Sequence, residues 1–420
     1  MKLQNILSRL QKLHPKEIDL SLDRVKNLCK KLDNPQENLK CISIIGTNGK
    51  YSTIQALRAI LKEAKVKVNI YTSPHIQNIN ERFIFNNNEI SDDKLAKLLT
   101  EVEEINDSEP ITYFEILTAA YFYYAKNFDN INLIESGLFH RFDATNIIKE
   151  NLASIITTIG LDHLDWLPKN EQSIEKIVYE KTSSLLNSKI VIGKQPDFET
   201  LDIIKKNISL NKSKKIIFNE QFTCSENENG FVYYEDEHGG IKLPKPNVLG
   251  EFQIENISTA IATIRNLDLQ VKDVHIKNGI TKIKSIARLQ ELKNGKLKNL
   301  CKNNKIFVDG SHNPLGAKVL NKYLESLNCK KHIIIGMMSN KDHKGYINYF
   351  KNISSLTTID IPNQPNAIDG KELKKKLNYF PNINYKESIE DAISSIDLSD
   401  NDIVLITGSL YLAGEVLNLN

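Results

Sequence analysis

Short β-branched apolar runs alternate with stretches of helical periodicity through much of this chain, as expected of a mostly parallel α/β sheet. Ile42 to Ile45 (I-S-I-I) reads as a buried strand. The chain then bends through Gly46, Thr47, Asn48 and Gly49 and meets Lys50. From Ser52 onward, Ile54, Leu57, Ile60 and Leu61 fall on one helical face. Val66 to Tyr71 is a second expected strand, ending in Thr72-Ser73-Pro74-His75, where Pro74 pushes Ser73 into an extended conformation. Phe83 to Phe85, followed by polar Asn86 to Asn88, reads as a hairpin or a strand plus loop. Ser91 is placed to cap a helix to about Ile105, and an apolar helix is expected over Ile116 to Tyr124. Ile131 to Ile134 is a third buried strand, ending in Glu135. Ser154 to Ile159 is a fourth, followed by Asp162-His163. A helix over Ser173 to Leu186 carries Glu180-Lys181, and Ile190 to Gly193 resumes the sheet.

The pattern changes at both flanks of this block. Residues 1–40 read as helical segments split near Pro15. Residues 200–245 hold short alternating runs, such as Lys215 to Asn219 and Gly230 to Glu235, as in a small, largely β appendage. A helix is expected over Ile257 to Leu267. Residues 286–298 read as a linker, because a Lys/Asn/Gly-rich run begins there. Beyond it the pattern restarts, with strands at Ile306 to Val308, His332 to Gly336 and Ile403 to Thr407 and helices between. The reading is therefore α/β: a P-loop-type, mostly parallel domain over 1–285 with a β appendage, then a smaller Rossmann-like domain over 299–420.

Composition narrows the class without naming a chemistry. The chain has 420 residues, enough for more than one domain; 40% are hydrophobic and 25% charged, as in an ordinary globular protein. A net charge of +3 implies no nucleic-acid or membrane field. The 5 cysteines are dispersed with no C-x-x-C pair, which points to reduced thiols in a cytoplasm rather than disulfides or zinc. Met1 to Leu32 lacks the apolar core of a signal peptide, and Glu17, Asp19 and Asp23 argue against a transit peptide.

The candidate chemistry lies at strand ends. A strand, a glycine loop with a lysine and a helix form an anion-binding device: backbone N–H groups and the helix N-terminus point at a phosphate, and Lys50 adds a point charge. The loop departs from G-x-x-x-x-G-K-[ST], since Tyr51 follows the lysine and Ser43 or Ile44 stands at the first glycine position. Ser73, Glu135 and His163 each sit just past a different strand. Parallel strands bring such ends to one edge, so a hydroxyl, a carboxylate and an imidazole are expected near the phosphates, where they could hold Mg²⁺.

With these residues in view, the chain resembles the folylpolyglutamate synthase/dihydrofolate synthase family, ATP-dependent amide-forming ligases related to the peptidoglycan (Mur) amino-acid ligases. The family's G-T-N-G-K-G-S-T matches Gly46 to Thr53, T-S-P-H-L with N-E-R matches Thr72 to Ile76 and Asn80 to Arg82, and T-Y-F-E is Thr112 to Glu115. L-E-V-G-L-G-G-R-L-D-A-T-N matches Ile134 to Asn146, S-I-G-L-D-H matches Thr158 to His163, and E-K-A-G-I matches Glu180 to Leu185 in part. H-Q-x-x-N matches Phe252 to Asn256, G-R-L-Q matches Ala287 to Gln290, D-G-A-H-N-P matches Asp309 to Pro314, and T-G-S-L-Y is Thr407 to Tyr411. The matches run in order over nearly the whole chain.

The resemblance implies that ATP phosphorylates a pteroate or folate carboxylate and that the amine of L-glutamate attacks the acyl phosphate, leaving an amide, ADP and phosphate. It implies that Gly49, Lys50, Tyr51 and Ser52 hold the ATP phosphates. Ser73 and Glu135 would bind one Mg²⁺, and His163 with a carbamylated Lys181 a second, so that Lys50, Glu135, His163 and Lys181 form the catalytic set. Asn256, Arg288 and Asp309 would grip the nucleotide. Thr112, Tyr113, Phe114 and Glu115, with Phe142, Asp143 and Ala144 and with Arg141 nearby, would line the pterin side. His312 and Ser409 would face glutamate or the acyl phosphate. The partners are small molecules (dihydropteroate or folate, L-glutamate and ATP), with no nucleic acid and no membrane, and a monomer is expected. Tyr51, Phe139, His140 and Ala287 stand where the family has glycine, Thr182-Ser183 replace Ala-Gly, and Phe252 replaces histidine. A ligase acting on a peptidoglycan precursor and a non-catalytic nucleotide binder are the competing readings. The T-Y-F-E and D-A-T-N segments favour folate over the first, and the intact charged positions favour catalysis over the second.

Overall fold

A continuous apolar run has no polar face for water, so its strand must be covered on both sides and paired on both edges. In the computed structural model, which describes residues 2–16, 19–229 and 231–420, the apolar runs form such strands. Glu17, used above against a transit peptide, and Gly230, the first residue of the run to Glu235, lie outside the described residues. The chain divides into two units: Met1–His163, Leu167–Asn247 and Ile254–Ile283 in the first, Leu164–Trp166, Val248–Gln253 and Lys284–Asn420 in the second. No helix among the described residues is long and apolar enough to cross a membrane.

The first unit's main strands are β1 (Lys40–Ile45), β2 (Val68–Tyr71), β3 (Phe83–Phe85), β4 (Asn88–Glu89), β5 (Ile131–Glu135), β6 (Ala153–Ile156), β7 (Lys189–Ile192) and β8 (Lys215–Ile217). Among the described residues they make an 8-stranded sheet in the order β4-β3-β2-β5-β1-β6-β7-β8. The β3–β4 hairpin and its pairing to β2 are antiparallel, and the remaining pairs are parallel. Its helices are α1 (Leu3–Leu10), α2 (Asp23–Lys31), α3 (Lys50–Glu63), α4 (Asp92–Asn106), α5 (Tyr113–Ala125), α6 (Ile174–Thr182), α7 (Phe198–Asn207), α8 (Glu251–Arg265, in this unit from Ile254) and α9 (Asp273–Ile280). β2, β5, β1 and β6 are neighbours and run the same way. Their C-terminal tips, carrying Thr72-Ser73, Glu135, the Gly46 loop and the Asp162-His163 turn, therefore share one edge.

Local expectations are corrected in several places. Ser91 is the N-cap of α4, yet its hydroxyl makes no capping bond. α5 begins at Tyr113 rather than Ile116, because Thr112 and Glu115 form a capping box: the Thr112 hydroxyl accepts from the Glu115 N–H at 3.3 Å and the Glu115 carboxylate accepts from the Thr112 N–H at 2.8 Å. Lys215 to Ile217 joins the large sheet instead of the appendage, since β7 offers it a free parallel edge. The appendage is the separate antiparallel set β9 (Phe222–Glu226), β10 (Val232–Asp236) and β11 (Gly239–Leu243), with the helix α7 before it.

The second unit holds β12 (Gln290–Glu291), β13 (Lys305–Val308), β14 (Lys331–Ile335), β15 (Ser355–Ile359), β16 (Ile383–Lys386) and β17 (Ile403–Thr407). Among the described residues their order is β12-β13-β17-β14-β15-β16, parallel except for β12 against β13. Helices α10 (Lys296–Leu300), α11 (Pro314–Glu325), α12 (His343–Ile347), α13 (Gly370–Lys376), α14 (Ile389–Ser394) and α15 (Leu410–Leu419) complete it. The stretch 286–298 is thus not a bare linker. It supplies β12 and the start of α10, and its apolar residues Leu289, Leu292 and Leu297 are buried. Burying that periodic leucine set outweighs the flexible composition around it.

Candidate active site

The glycine loop owes its shape to close packing. Gly49 caps α3 at φ +90°, and a Cβ there would collide with the Asn256 amide oxygen. Asn256 is thereby placed against the loop from α8. The other flank is tied to the turn after β6: Thr47 and Asn48 N–H groups donate to the Thr158 carbonyl at 2.9 and 3.1 Å, and the Thr47 hydroxyl donates to Gly160 O at 3.0 Å.

Two lysines converge on this loop. Lys50 Nζ donates to the carbonyls of Gly46 at 3.2 Å and Thr47 at 3.3 Å, and stands 3.9 Å from Glu135 Oε1. Lys181 Nζ, reaching in from α6, donates to the same Gly46 carbonyl at 3.0 Å. Glu135 Oε2 in turn accepts from the Ser73 N–H at 3.3 Å. Lys181 is only 3% exposed, and burial pushes its amine down to about 7, with nearby Lys50 adding to the shift and Asp162 and Asp143 opposing it. His163 is joined to this group through Phe139, whose ring lies 5.6 Å from Lys181 Nζ and meets the His163 ring edge-on at 6.5 Å. Lys50, Ser73, Glu135, Lys181 and His163 thus form a chain of contacts. Among the described residues no three His, Cys, Asp or Glu side chains cluster closely enough to hold a metal by themselves. A cation here would have to draw on the Ser73 hydroxyl, the Glu135 carboxylate and oxygens of a bound phosphate, a donor set that suits Mg²⁺.

The residues expected on the pterin side fall into two groups. Phe114 stacks on Tyr71 at 6.0 Å, and its ring and Asp143 both border Gly137, where a Cβ would lie 3.2 Å from Phe114 Cζ and 2.8 Å from Asp143 Oδ2. The T-Y-F-E helix and the D-A-T-N loop therefore flank the same glycine. Tyr113 is half-buried against the same core and Ala144 is buried. Other polar groups are engaged within the fold. Glu115 is 3% exposed, occupied by the capping box and by Arg24, whose Nε lies 2.9 Å away. Asp143 accepts from the Gly137 N–H at 3.0 Å and the Thr145 N–H at 3.1 Å, and burial pushes its carboxyl up to about 6. Arg141 makes a two-pronged ion pair with Glu180, both bonds 2.8 Å, and covers the ring of partly exposed Phe142 at 4.2 Å.

In the second unit, Asp309 is buried and accepts from the N–H groups of Ser311 and Leu289, both at 2.7 Å. Burial raises its carboxyl, with Arg288 opposing. His312 Nδ1 lies 3.1 Å from the Gly310 carbonyl. Ser409 is buried as the N-cap of α15, accepting from the Tyr411 N–H at 3.1 Å.

Supporting residues escaped the sequence. The Glu81 carboxylate of N-E-R accepts from the N–H groups of Ile76, Gln77 and Asn78 at 2.8–2.9 Å, and Arg82 Nε donates to His75 Nδ1 at 3.1 Å, so this motif braces the loop bearing Ser73. Gln195 braces the Asp162-His163 turn, accepting from the Ile159 N–H at 3.0 Å and donating to the Thr157 carbonyl at 3.2 Å. Its place just past β7 was the available signal.

His140 permits a sharp test of this packing. It is buried, with Nδ1 2.8 Å from the Ser136 hydroxyl, and burial with Lys181 nearby pushes it from 6.5 down to about 3. The unfolded chain takes up a proton in that window and the folded chain does not. Stability therefore falls as pH drops from 6.5 towards 3, by up to about 1.4 kcal/mol per pH unit from this residue. His140→Asn should flatten the acid limb of the melting temperature against pH. An unchanged limb would mean that His140 is protonated in the folded chain.

Comparison with known proteins agrees with the geometry. The Mur ligase, glutamate ligase domain matches residues 296–410. The dihydrofolate synthase/folylpolyglutamate synthase of Haemophilus influenzae is 28% identical over 97% of this chain and 95% of its own length, and that of Bacillus subtilis is 28% identical over 94% of each. The Yersinia pestis bifunctional enzyme complexed with AMPPNP and Mn ion superposes with a TM-score of 0.87 at 26% identity, covering 100% of this chain and 98% of that one. Escherichia coli FolC in complex with DHPP and ADP gives 0.86 at 27%, covering 100% and 97%. The similarity spans both units: over nearly its whole length the chain is similar to dihydrofolate synthase/folylpolyglutamate synthases.

Proposed function

We propose that the chain is an ATP-dependent ligase that joins L-glutamate to dihydropteroate, to a folate, or to both. The observation that carries this reading is the meeting of Lys50, Glu135 and Ser73 at the glycine loop. A carboxylate is a poor electrophile. Attack of its oxygen on the γ-phosphorus of ATP expels ADP and leaves an acyl phosphate, which the glutamate amine opens with loss of phosphate to form the amide. Loop N–H groups and the start of α3 orient the phosphates, and Lys50 meets the developing negative charge. Ser73 and Glu135 would hold one Mg²⁺, and His163 with a carbamate on Lys181 a second. Cations bound there would supply charge stabilisation on the transferred phosphoryl. The lowered amine of Lys181 favours this assignment, because only the unprotonated form adds CO₂. Asn256, Arg288 and Asp309 are assigned to the nucleotide, Phe114 and Phe142 to the pterin, and His312 to glutamate. The same reading has the enzyme acting as a cytoplasmic monomer.

Mass-resolved product analysis tests the function, with dihydropteroate and tetrahydrofolate offered separately with ATP and glutamate. Products one glutamyl unit heavier, with matching ADP, are expected from at least one acceptor. ATP turnover that is indifferent to both acceptors, or no turnover, would overturn the proposal.

A further inference from the structure

A buried hydroxyl bridge lies at the C-terminal edge of the second unit's sheet. Its centre is Tyr346 on α12, a buried side chain whose ring meets Phe350 edge-on at 5.4 Å within the apolar core. A buried phenol must find partners or forfeit its hydration. This one has two: Ser311 Oγ at 2.9 Å, just past β13, and Thr407 Oγ1 at 2.7 Å, the last residue of β17. Those two hydroxyls are 3.5 Å apart, too far for a good bond of their own, so the phenol is what joins them. Ser311 stands where the D-G-A-H-N-P pattern has alanine, so that half of the bridge departs from the pattern.

The bridge adjoins residues already assigned. His312 follows Ser311 directly, and Ser409 is two residues beyond Thr407. The ladder between β13 and β17 ends at Val308 and Ile406. Past it the two tips are joined by single bonds: the Asp309 N–H donates to the Ile406 carbonyl at 3.0 Å, and the Gly408 N–H donates to the Ser311 carbonyl at 3.1 Å. Tyr346 adds a further tie from a third element, α12, which follows β14. Its ring is enclosed by the core, so its hydroxyl is a fixed point to which both tips are fastened.

We propose that Tyr346 is a positioning residue for glutamate: by fastening Ser311 and Thr407 to one fixed hydroxyl, it sets the places of His312 and Ser409. The proposal rests on the function assigned above, which gives His312 to glutamate, with Ser409 expected beside it. Tyr346 touches no substrate in this role and acts through its two hydroxyl partners. A phenylalanine there would fill the same space but leave the tips with their backbone bonds alone.

Steady-state kinetics of acceptor-dependent ADP formation by the full chain, with glutamate, ATP and acceptor varied in turn, tests it. Tyr346→Phe should raise KM for glutamate about fivefold while KM for ATP and for the acceptor stays within about twofold. Ser311→Ala restores the pattern's own residue, serves if the phenylalanine variant does not fold, and should raise the same constant by about threefold. The double variant should be no worse than Tyr346→Phe, because both changes cut one bridge. Thr407→Ser keeps a hydroxyl and should behave as wild type. An unchanged KM for glutamate in Tyr346→Phe and Ser311→Ala would overturn the proposal. So would a rise in all three KM values alongside a lowered melting temperature, which marks a merely structural role. His312→Ala keeps the two failures apart: if it leaves KM for glutamate unchanged, the assignment of His312 to glutamate is what falls.

Discussion

Glu135→Gln should lower the rate of acceptor-dependent ADP formation by two to three orders of magnitude, equivalent to about 3–4 kcal/mol of transition-state stabilisation. The substitution changes charge and little else. Glutamine keeps an oxygen for the Ser73 N–H, now at 3.3 Å from Oε2, and it keeps the shape that fills the tip of β5. It removes the negative charge that stands 3.9 Å from Lys50 and that a cation beside the phosphates would require. The melting temperature should stay within a few degrees, and Mn²⁺ binding with AMPPNP should weaken. Turnover within about tenfold of wild type would remove Glu135 from the chemistry.

The largest stability effect is expected at Arg24. Its Nε donates to Glu115 Oε2 at 2.9 Å, and its other nitrogens donate to the Asp19 carboxylate and carbonyl, both at 2.9 Å. Glu115 is buried, and its Oε1 has no hydrogen-bond partner. Arg24→Met would leave that carboxylate in a low-dielectric site without its cation, at a loss of about 3–5 kcal/mol. Arg24→Met combined with Glu115→Gln should recover much of the loss, since the stranded charge is gone while glutamine can still accept from the Thr112 N–H. Denaturant unfolding of the single and double variants checks this. A single variant within about 1 kcal/mol of wild type would show that water reaches Glu115.

Arg24 also shows where legibility ended. Glu115 stands in a motif read for substrate contact, yet the structure ties its carboxylate to a residue 91 positions earlier in the chain. Spacing along a sequence cannot reveal that. Thr112, Asp143 and Ser409 are similar: each is polar and near the expected site, and each is bonded to backbone of its own segment. The glycine replacements were legible as departures but not in their consequence. Phe139 and Ala287 hold φ of +58° and +52°, so the pattern's glycine had marked left-handed backbone, and a side chain was nevertheless accommodated there. Residues 286–298 read as a linker by composition, whereas their leucines are buried and their strand pairs with β13, a partner no local pattern names.

What the sequence by itself determined is the central parallel strands β1, β2, β5, β6 and β7 of the first unit, β13, β14 and β17 of the second, and the set of groups at the first unit's strand tips. A strand covered on both faces must be written as an unbroken apolar run, and the residue that ends the run must lie at the sheet's edge. Ser73, Glu135, His163 and the Lys50 loop follow from that rule alone. Only the tertiary structure decided which of those groups touch, which carboxylates are consumed within the fold, and that Lys181 and Phe139 close the circle. Those are contacts between segments far apart in the chain, selected by packing and burial, and no local pattern encodes them.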